Sequence, residues 1–261
     1  MEHPNANFGR YHRQIVYAPF GVAGQQRLCG GKALVVGVGG LGSWVAELLT
    51  RAGVGMLRLV DDDRVELVNV HRQSLYDESD AENQRPKAQA AARRLRQINA
   101  AVEVQPVIER LTARNVARLA EGVDVILDGA DNFAARFVVN DYCVKNSLPW
   151  VFAGVVGAEG QVMSVVPGRT ACLRCVYDSP APPCAEPTCR ASGVLGPAVA
   201  AIASMQAMEA IKILAGRADQ VSPFLTKLDF WTNQFQRIDT SVAGANCPCC
   251  KQRQFEYLEA D

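Results

Sequence analysis

The sequence predicts an α/β fold: a mostly parallel sheet with helices on both faces. Three observations predict it. Short apolar β-type runs alternate with helical stretches at the spacing of strand–helix–strand units. The stretch Gly37-Val38-Gly39-Gly40-Leu41-Gly42 stands between the first such run and the first long helical one. A length of 261 residues, 49% of them hydrophobic, is enough for one large core without disulfide staples. The sheet class is Rossmann-like, with a β-rich C-terminal part.

The elements are expected in this order. Residues 1–30 form a polar and aromatic N-terminal helical arm. Residues 33–36 are a strand, the glycine stretch follows, and a helix runs over 43–52. Residues 56–60 are the second strand, closed by Asp61-Asp62-Asp63. Pro86 suits the first position of a helix over 86–99, because its fixed φ is helical and its missing N–H is not needed there. Residues 102–107 read as a strand, 112–121 as a helix capped by Thr112, 123–127 as a strand and 132–146 as a helix. Gly154, Gly157 and Gly160 interrupt a β-rich run over 150–166 and suggest hairpin-like strands. A loop dense in Pro and Cys covers 170–193, a long helix 197–215, and two short strands 224–238. One unit over 1–261 is expected, with a nucleotide-binding half at 31–150 and a second half at 151–261.

Composition narrows the class. Basic and acidic residues balance at 27 each, which disfavours a nucleic-acid partner, since those proteins usually carry a basic surplus. The N-terminus lacks the basic-then-apolar layout of a signal peptide, so a cytoplasmic setting is expected. The longest apolar stretch, 194–216, contains Gln206, Glu209 and Lys212. A buried helix explains it better than a membrane span. Nine cysteines cannot all pair within one chain. In a reducing compartment they are more often metal ligands or reactive thiols.

The glycine stretch carries chemistry because of where it sits. Gly37, Gly39, Gly40 and Gly42 permit a tight turn and a close approach of backbone to ligand, and the helix N-terminus offers free N–H groups to a phosphate. Asp61 ends the second strand, where an acid can accept a hydrogen bond from a ribose hydroxyl; Asp63 closes the same acidic end. The loop alone does not distinguish NAD, FAD and ATP. Asn69, Arg72 and Lys87 follow and are expected to converge on one crevice. Extra cations suit a triphosphate, whose departing pyrophosphate gains charge. Asp131 follows another strand, where a carboxylate can hold Mg²⁺ or cap the next helix.

Cys172-Leu173-Arg174-Cys175 and Cys247-Pro248-Cys249-Cys250 form two Cys-x-x-Cys knuckles through Cys172, Cys175, Cys247 and Cys250. Two such pairs predict a structural tetrathiolate Zn²⁺ site that clamps the tail. A redox pair or unliganded thiols are the competing readings. Cys29 and Cys143 read as ordinary buried small residues, and Cys249 has no evident role.

Taken together, the glycine stretch, Asp61-Asp62-Asp63, Asn69-Val70-His71-Arg72-Gln73, Arg85-Pro86-Lys87 and Asp128-Gly129-Ala130-Asp131-Asn132 resemble the ThiF/MoeB/HesA family, bacterial relatives of ubiquitin-activating enzymes. The likeness runs from about Tyr11 to Cys250. It implies ATP-dependent adenylation of the C-terminal Gly-Gly carboxylate of a ubiquitin-like sulfur carrier, ThiS-like or MoaD-like. By that resemblance Asp61 binds ribose, Asn69, Arg72 and Lys87 hold phosphates, and Asp131 binds Mg²⁺. Arg13 would reach the ATP site of the opposite subunit of a homodimer. Cys189 matches the position of a reactive cysteine, with Cys184 a second candidate; Arg190 beside Cys189 favours a thiolate. Where relatives often carry Gln, this chain has His71. The chain leaves no room for an appended sulfurtransferase domain, so a separate sulfur donor is expected. The alternative is an NAD-dependent oxidoreductase using the same glycine loop.

Overall fold

The computed structural model describes residues 6–177, 192–241 and 244–259. The strands are β1 (Lys32–Val36), β2 (Met56–Val60), β3 (Glu103–Val107), β4 (Val125–Asp128), β5 (Trp150–Val156), β6 (Glu159–Val165), β7 (Phe224–Asp229) and β8 (Gln234–Asp239). They form one sheet in the order β3-β2-β1-β4-β5-β6-β7-β8. β3, β2, β1, β4 and β5 are parallel. From β5 to β8 every pairing is antiparallel. The β5–β6 hairpin turns through Gly157 at φ +62°, as the glycines in that run suggest.

Strand alternation sends side chains to two cores. Val35, Leu57, Leu59, Leu127 and Val151 fall on one face. Leu34, Met56, Ile126, Trp150 and Phe152 fall on the other. The longer helices are α1 (Gly21–Gly30), α2 (Gly40–Ala52), α3 (Lys87–Ile98), α4 (Phe133–Lys145) and α5 (Gly196–Leu214). α2, α3 and α5 cover the first face, where α3 packs through Ala88, Ala91, Ala92 and Leu95. α4 and the cysteine-bearing segments cover the second. α5 is long and apolar enough to cross a membrane. Its Ile202, Ala203, Gln206 and Ala210 are instead buried against the sheet and α2.

Local chemistry moves several boundaries. α2 begins at Gly40, because the end of the glycine stretch is already helical. No helix capped by Thr112 spans 112–121. The Asn115 carboxamide accepts from the Thr112 N–H at 2.8 Å and holds a turn, leaving a short helix at Val116–Leu119. Nor does Asp131 cap α4: Asn132 does, accepting from the Ala135 N–H at 2.9 Å. The arm consists of two short helical turns and α1. Cys143 is buried as expected, whereas Cys29 is half-buried.

Candidate functional site

β1 is flanked by β2, which leads toward β3, and by β4, which leads toward β5. This reversal of direction makes the C-terminal ends of β1 and β4 the natural ligand crevice of such a sheet. Two turns meet there, at residues 37–42 and 129–132. A Cβ on Gly42 would lie 1.9 Å from the Gly37 carbonyl oxygen, and one on Gly37 would lie 2.5 Å from that of Gly129. Gly37 also has φ +80°, a conformation that favours glycine. The backbone stays thin there, and the first turn of α2 presents N–H groups without intrahelical acceptors. A phosphate fits that cradle.

Asp61 is buried under the loop rather than lying free beside it. Its carboxylate accepts from the Val38 N–H at 2.6 Å and from the Asp63 N–H at 2.8 Å. Burial pulls its carboxyl above the usual range, against Lys87 and the two N–H donors. The buried Tyr76 hydroxyl donates to the Val38 carbonyl at 2.8 Å and holds the loop from the other side. Asp61, Asp62 and Asp63 cluster closely enough to suggest a cation site. Yet Lys87 meets Asp63 at 2.7 Å, Arg110 meets Asp62 at 3.2 Å, and Asp61 is taken by backbone.

Of the predicted cations, Arg72 lies against the glycine loop and Lys87 pairs with Asp63 at the end of β2. Arg72 Nη2 donates to Asn69 Oδ1 at 2.7 Å, and its Cδ lies 4.0 Å from the Cβ position of Gly40. The Arg72 segment is tied to α2: Trp44 Nε1 donates to the Arg72 carbonyl at 3.2 Å, and the Ser74 N–H to Ser43 Oγ at 3.2 Å. His71 Nε2 lies 2.9 Å from Arg72 Nη1. Gln73, to which sequence reasoning assigned no role, is buried, with its amide nitrogen 3.7 Å from the Cβ position of Gly39 and its Oε1 unpartnered. A buried amide beside a phosphate cradle was signalled only by its place in the Asn69–Gln73 run. Asp131 is exposed at the far rim and accepts from Asn132 Nδ2 at 3.1 Å. An exposed carboxylate at this strand end suits a hydrated divalent cation.

Arg13 does not join this group within its own chain. The neighbouring Gln14 side chain donates to the Ala52 carbonyl at 3.0 Å, at the opposite end of α2. The 13 residues of α2 put the arm's anchor about 20 Å from the glycine loop, at 1.5 Å rise per residue.

On the other face the four cysteines meet. Cys172 Sγ is 3.7 Å from Cys175 and 3.6 Å from Cys247, and Cys175 is 3.4 Å from Cys250. A tetrahedral ion with ~2.3 Å bonds holds its sulfurs about 3.8 Å apart, so the set fits Zn²⁺. Burial, then the adjacent Cys175 thiol, pushes the Cys250 thiol up to about 12, so four thiolates here need a cation. Gly244 seats the second knuckle; a Cβ there would lie 2.5 Å from Cys175 Sγ. Cys249 is not one of these four, although its thiol lies within hydrogen-bond reach of Cys172. It is fully buried and takes the Asn140 amide at 3.3 Å, while Asn140 Oδ1 accepts from the Leu173 N–H at 2.8 Å and seats the first knuckle on α4. Cys184 and Cys189 lie outside the described residues.

Known proteins match this chain over nearly its whole length. The ThiF family matches residues 11–249. The sulfur carrier protein ThiS adenylyltransferase of Bacillus subtilis (strain 168) is 41% identical over 251 residues, covering 96% of this chain and 74% of the relative. The sulfur carrier protein adenylyltransferase of Thermus thermophilus is 37% identical over 260 residues, covering 96% of this chain and 95% of the relative. The crystal structure of E. coli MccB with ATP matches with a TM-score of 0.79 at 23% identity, over 93% of this chain and 74% of that one, and shows the shared fold.

Proposed function

Since this chain belongs to the ThiF family, we propose that it uses ATP to adenylate the C-terminal Gly-Gly carboxylate of a ubiquitin-like sulfur carrier. It is a nucleotidyltransferase. One observation supports the reading beyond a generic nucleotide fold: Arg72, bonded to Asn69, lies against the glycine loop, and buried Lys87 pairs with Asp63 at the acidic strand end beside it. A dinucleotide site needs the loop and Asp61; it gives no use to these cations. The family assignment replaces the nicotinamide alternative.

In the reaction, a carboxylate oxygen of the carrier attacks the α-phosphorus of ATP. The bond from that phosphorus to the α,β-bridging oxygen breaks, pyrophosphate leaves, and an acyl-adenylate remains. The carboxylate, a poor electrophile, has gained a good leaving group. The protein's part is to position the reactants and neutralise charge. The α2 N-terminus and Gly39–Gly40 cradle phosphate, Arg72 and Lys87 offset the charge growing on pyrophosphate, and Asp61 keeps the loop in place beside the ribose. Asp131 would hold Mg²⁺, which would neutralise phosphate charge.

Several finer points belong to the same proposal. A homodimer supplies Arg13 to the opposite site, in keeping with its remoteness from its own loop. Cys172, Cys175, Cys247 and Cys250 hold Zn²⁺ as a structural clamp. The carrier docks on the β-rich half, where Trp231, Phe235 and Ile238 are exposed. A separate protein supplies sulfur, and Cys189, with Cys184 as second candidate, takes the activated carrier covalently. The free thiols suit a cytoplasmic setting. The test is carrier-dependent ATP–pyrophosphate exchange in Asp131→Ala. Loss of exchange in a folded variant is expected; near-normal exchange removes Asp131 from the mechanism.

A further inference from the structure

Asp131 extends from a turn whose backbone is held from several directions. Asp128, the last residue of β4, is almost fully buried. Its Oδ1 accepts from the Ala130 N–H at 2.9 Å, and its Oδ2 takes Arg136 Nε at 2.9 Å. Arg136, in the second turn of α4, returns to the same turn: Nη2 donates to the Ala130 carbonyl at 2.8 Å and to the Ala153 carbonyl of β5 at 3.1 Å. Both polar groups of the Ala130 backbone are therefore tied to one ion pair. Phe133 and Phe152 lie 5.0 and 5.2 Å from the guanidinium carbon and hold the plane of the fork. From α5, the buried Gln206 amide donates to the Asp128 carbonyl and the Val151 carbonyl, both at 2.8 Å. On the other side, the Gly129 N–H donates to the Val36 carbonyl at 2.7 Å, which locks the turn to β1 and the glycine loop. The next residue, Asp131, is exposed.

We propose that Arg136, paired with Asp128, is a positioning residue that sets the Asp131 carboxylate relative to the glycine loop and so tunes divalent-cation binding with the nucleotide. A buried ion pair is by itself weak evidence of stabilisation, because desolvation offsets most of the attraction. Here the guanidinium contributes something an apolar pair cannot. Its donors fix both the carbonyl before Asp131 and the neighbouring strand, and the carboxylate fixes the N–H. Arginine's planar fork is required for that; a lysine supplies the charge at one point only.

The inference rests on Asp131 being the cation ligand, so the experiment tests the two separately. Mn²⁺ binding is followed by electron paramagnetic resonance with a non-hydrolysable ATP analogue, alongside exchange activity and melting temperature. The proteins are wild type, Arg136→Lys, Asp128→Asn, Asp131→Ala and Leu119→Ala. Leu119→Ala is a buried control on the same sheet face. Arg136→Lys and Asp128→Asn are expected to weaken Mn²⁺ binding about tenfold, the lower end for loss of a residue that orients a metal ligand. ATP KM should change little while kcat falls. Leu119→Ala should lower the melting temperature and leave Mn²⁺ binding at the wild-type value. Unchanged Mn²⁺ binding in both clasp variants, with binding lost in Asp131→Ala, overturns the positioning role alone. Unchanged binding and exchange in Asp131→Ala overturns both readings. If Arg136→Lys does not fold, the near-isosteric Asp128→Asn decides the matter.

Discussion

Lys87 Nζ lies 2.7 Å from Asp63 Oδ2, with the lysine side chain 7% exposed and the aspartate 57% exposed. The cation is buried beneath the crevice and its partner faces water. An arriving phosphate can therefore share an ammonium that is already desolvated in the folded protein. Lys87→Met is expected to cut carrier-dependent exchange by about a hundredfold or more, the scale for removing one electrostatic donor to a developing anion. Asp63→Asn should cost much less. Exchange kinetics with melting curves check both, and equal losses would mean that the pair is only structural.

Two glycines in the same loop should fail in different ways. In Gly42→Ala the new methyl meets the Gly37 carbonyl at 1.9 Å, where backbone cannot yield. The expected loss is about 3 kcal/mol, the upper range for overpacking, or failure to fold. In Gly39→Ala the nearest atom is the end of the Gln73 side chain at 3.7 Å. That protein should fold normally and lose ATP affinity, because the methyl enters the phosphate cradle. Denaturant unfolding and ATP titration separate the two outcomes.

The cysteine cluster predicts about one zinc per chain, since four ligands fill one tetrahedral site. Cys250→Ser should reduce metal content and lower the melting temperature. Cys249→Ser should keep the metal, because Cys249 takes the Asn140 amide and is not one of the four clustered sulfurs, although it neighbours Cys172. Acid should release the ion, since each ligand must be a thiolate and protons compete for it. Metal analysis across a pH series measures all three.

Asp77 caps the short helix Glu78–Glu82 and accepts from the Ser79 hydroxyl at 2.7 Å and the Asp80 N–H at 3.0 Å. Those bonds, the Ser79 hydroxyl first, hold its carboxyl below its ordinary value of 3.8. A lowered carboxyl stabilises the fold above the unfolded value, and that contribution is lost as pH falls through the folded value. Asp77→Ala should therefore cost about 0.5–1 kcal/mol at neutral pH, discounted for exposure, and less near pH 2, where the neutral carboxyl keeps only its hydrogen-bond share. A pH-independent difference in urea unfolding would contradict the charge-dependent part of the cap.

The parts of this molecule that were legible in its residues are those governed by local rules. The apolar run over 33–36 marked β1, and the glycine stretch marked the strand-to-helix turn. Cys-x-x-Cys spacing brought four sulfurs together across 71 intervening residues. Thr112 and Asn115 show where local rules compete: both are capping types, and the side chain that reached the turn first shortened the helix. Arg136 and Gln206 were not legible as site residues, because their partners, the Asp128 carboxylate and backbone carbonyls of β4, β5 and the turn after β4, are brought near only by tertiary packing. The only signals available were an arginine in the apolar first half of α4 for the first, and a glutamine in the apolar 194–216 stretch for the second. Arg13 carries no local sign of its role, since its partner would be another subunit.

Pyrophosphate exchange into ATP, with and without a purified ubiquitin-like carrier ending in Gly-Gly, tests the adenylation reading most directly. Exchange that requires the carrier's intact C-terminal glycine, is supported by ATP and is unaffected by NAD is the expected result. No carrier-dependent exchange from folded, metal-loaded protein, across both ThiS-like and MoaD-like carriers, would contradict it.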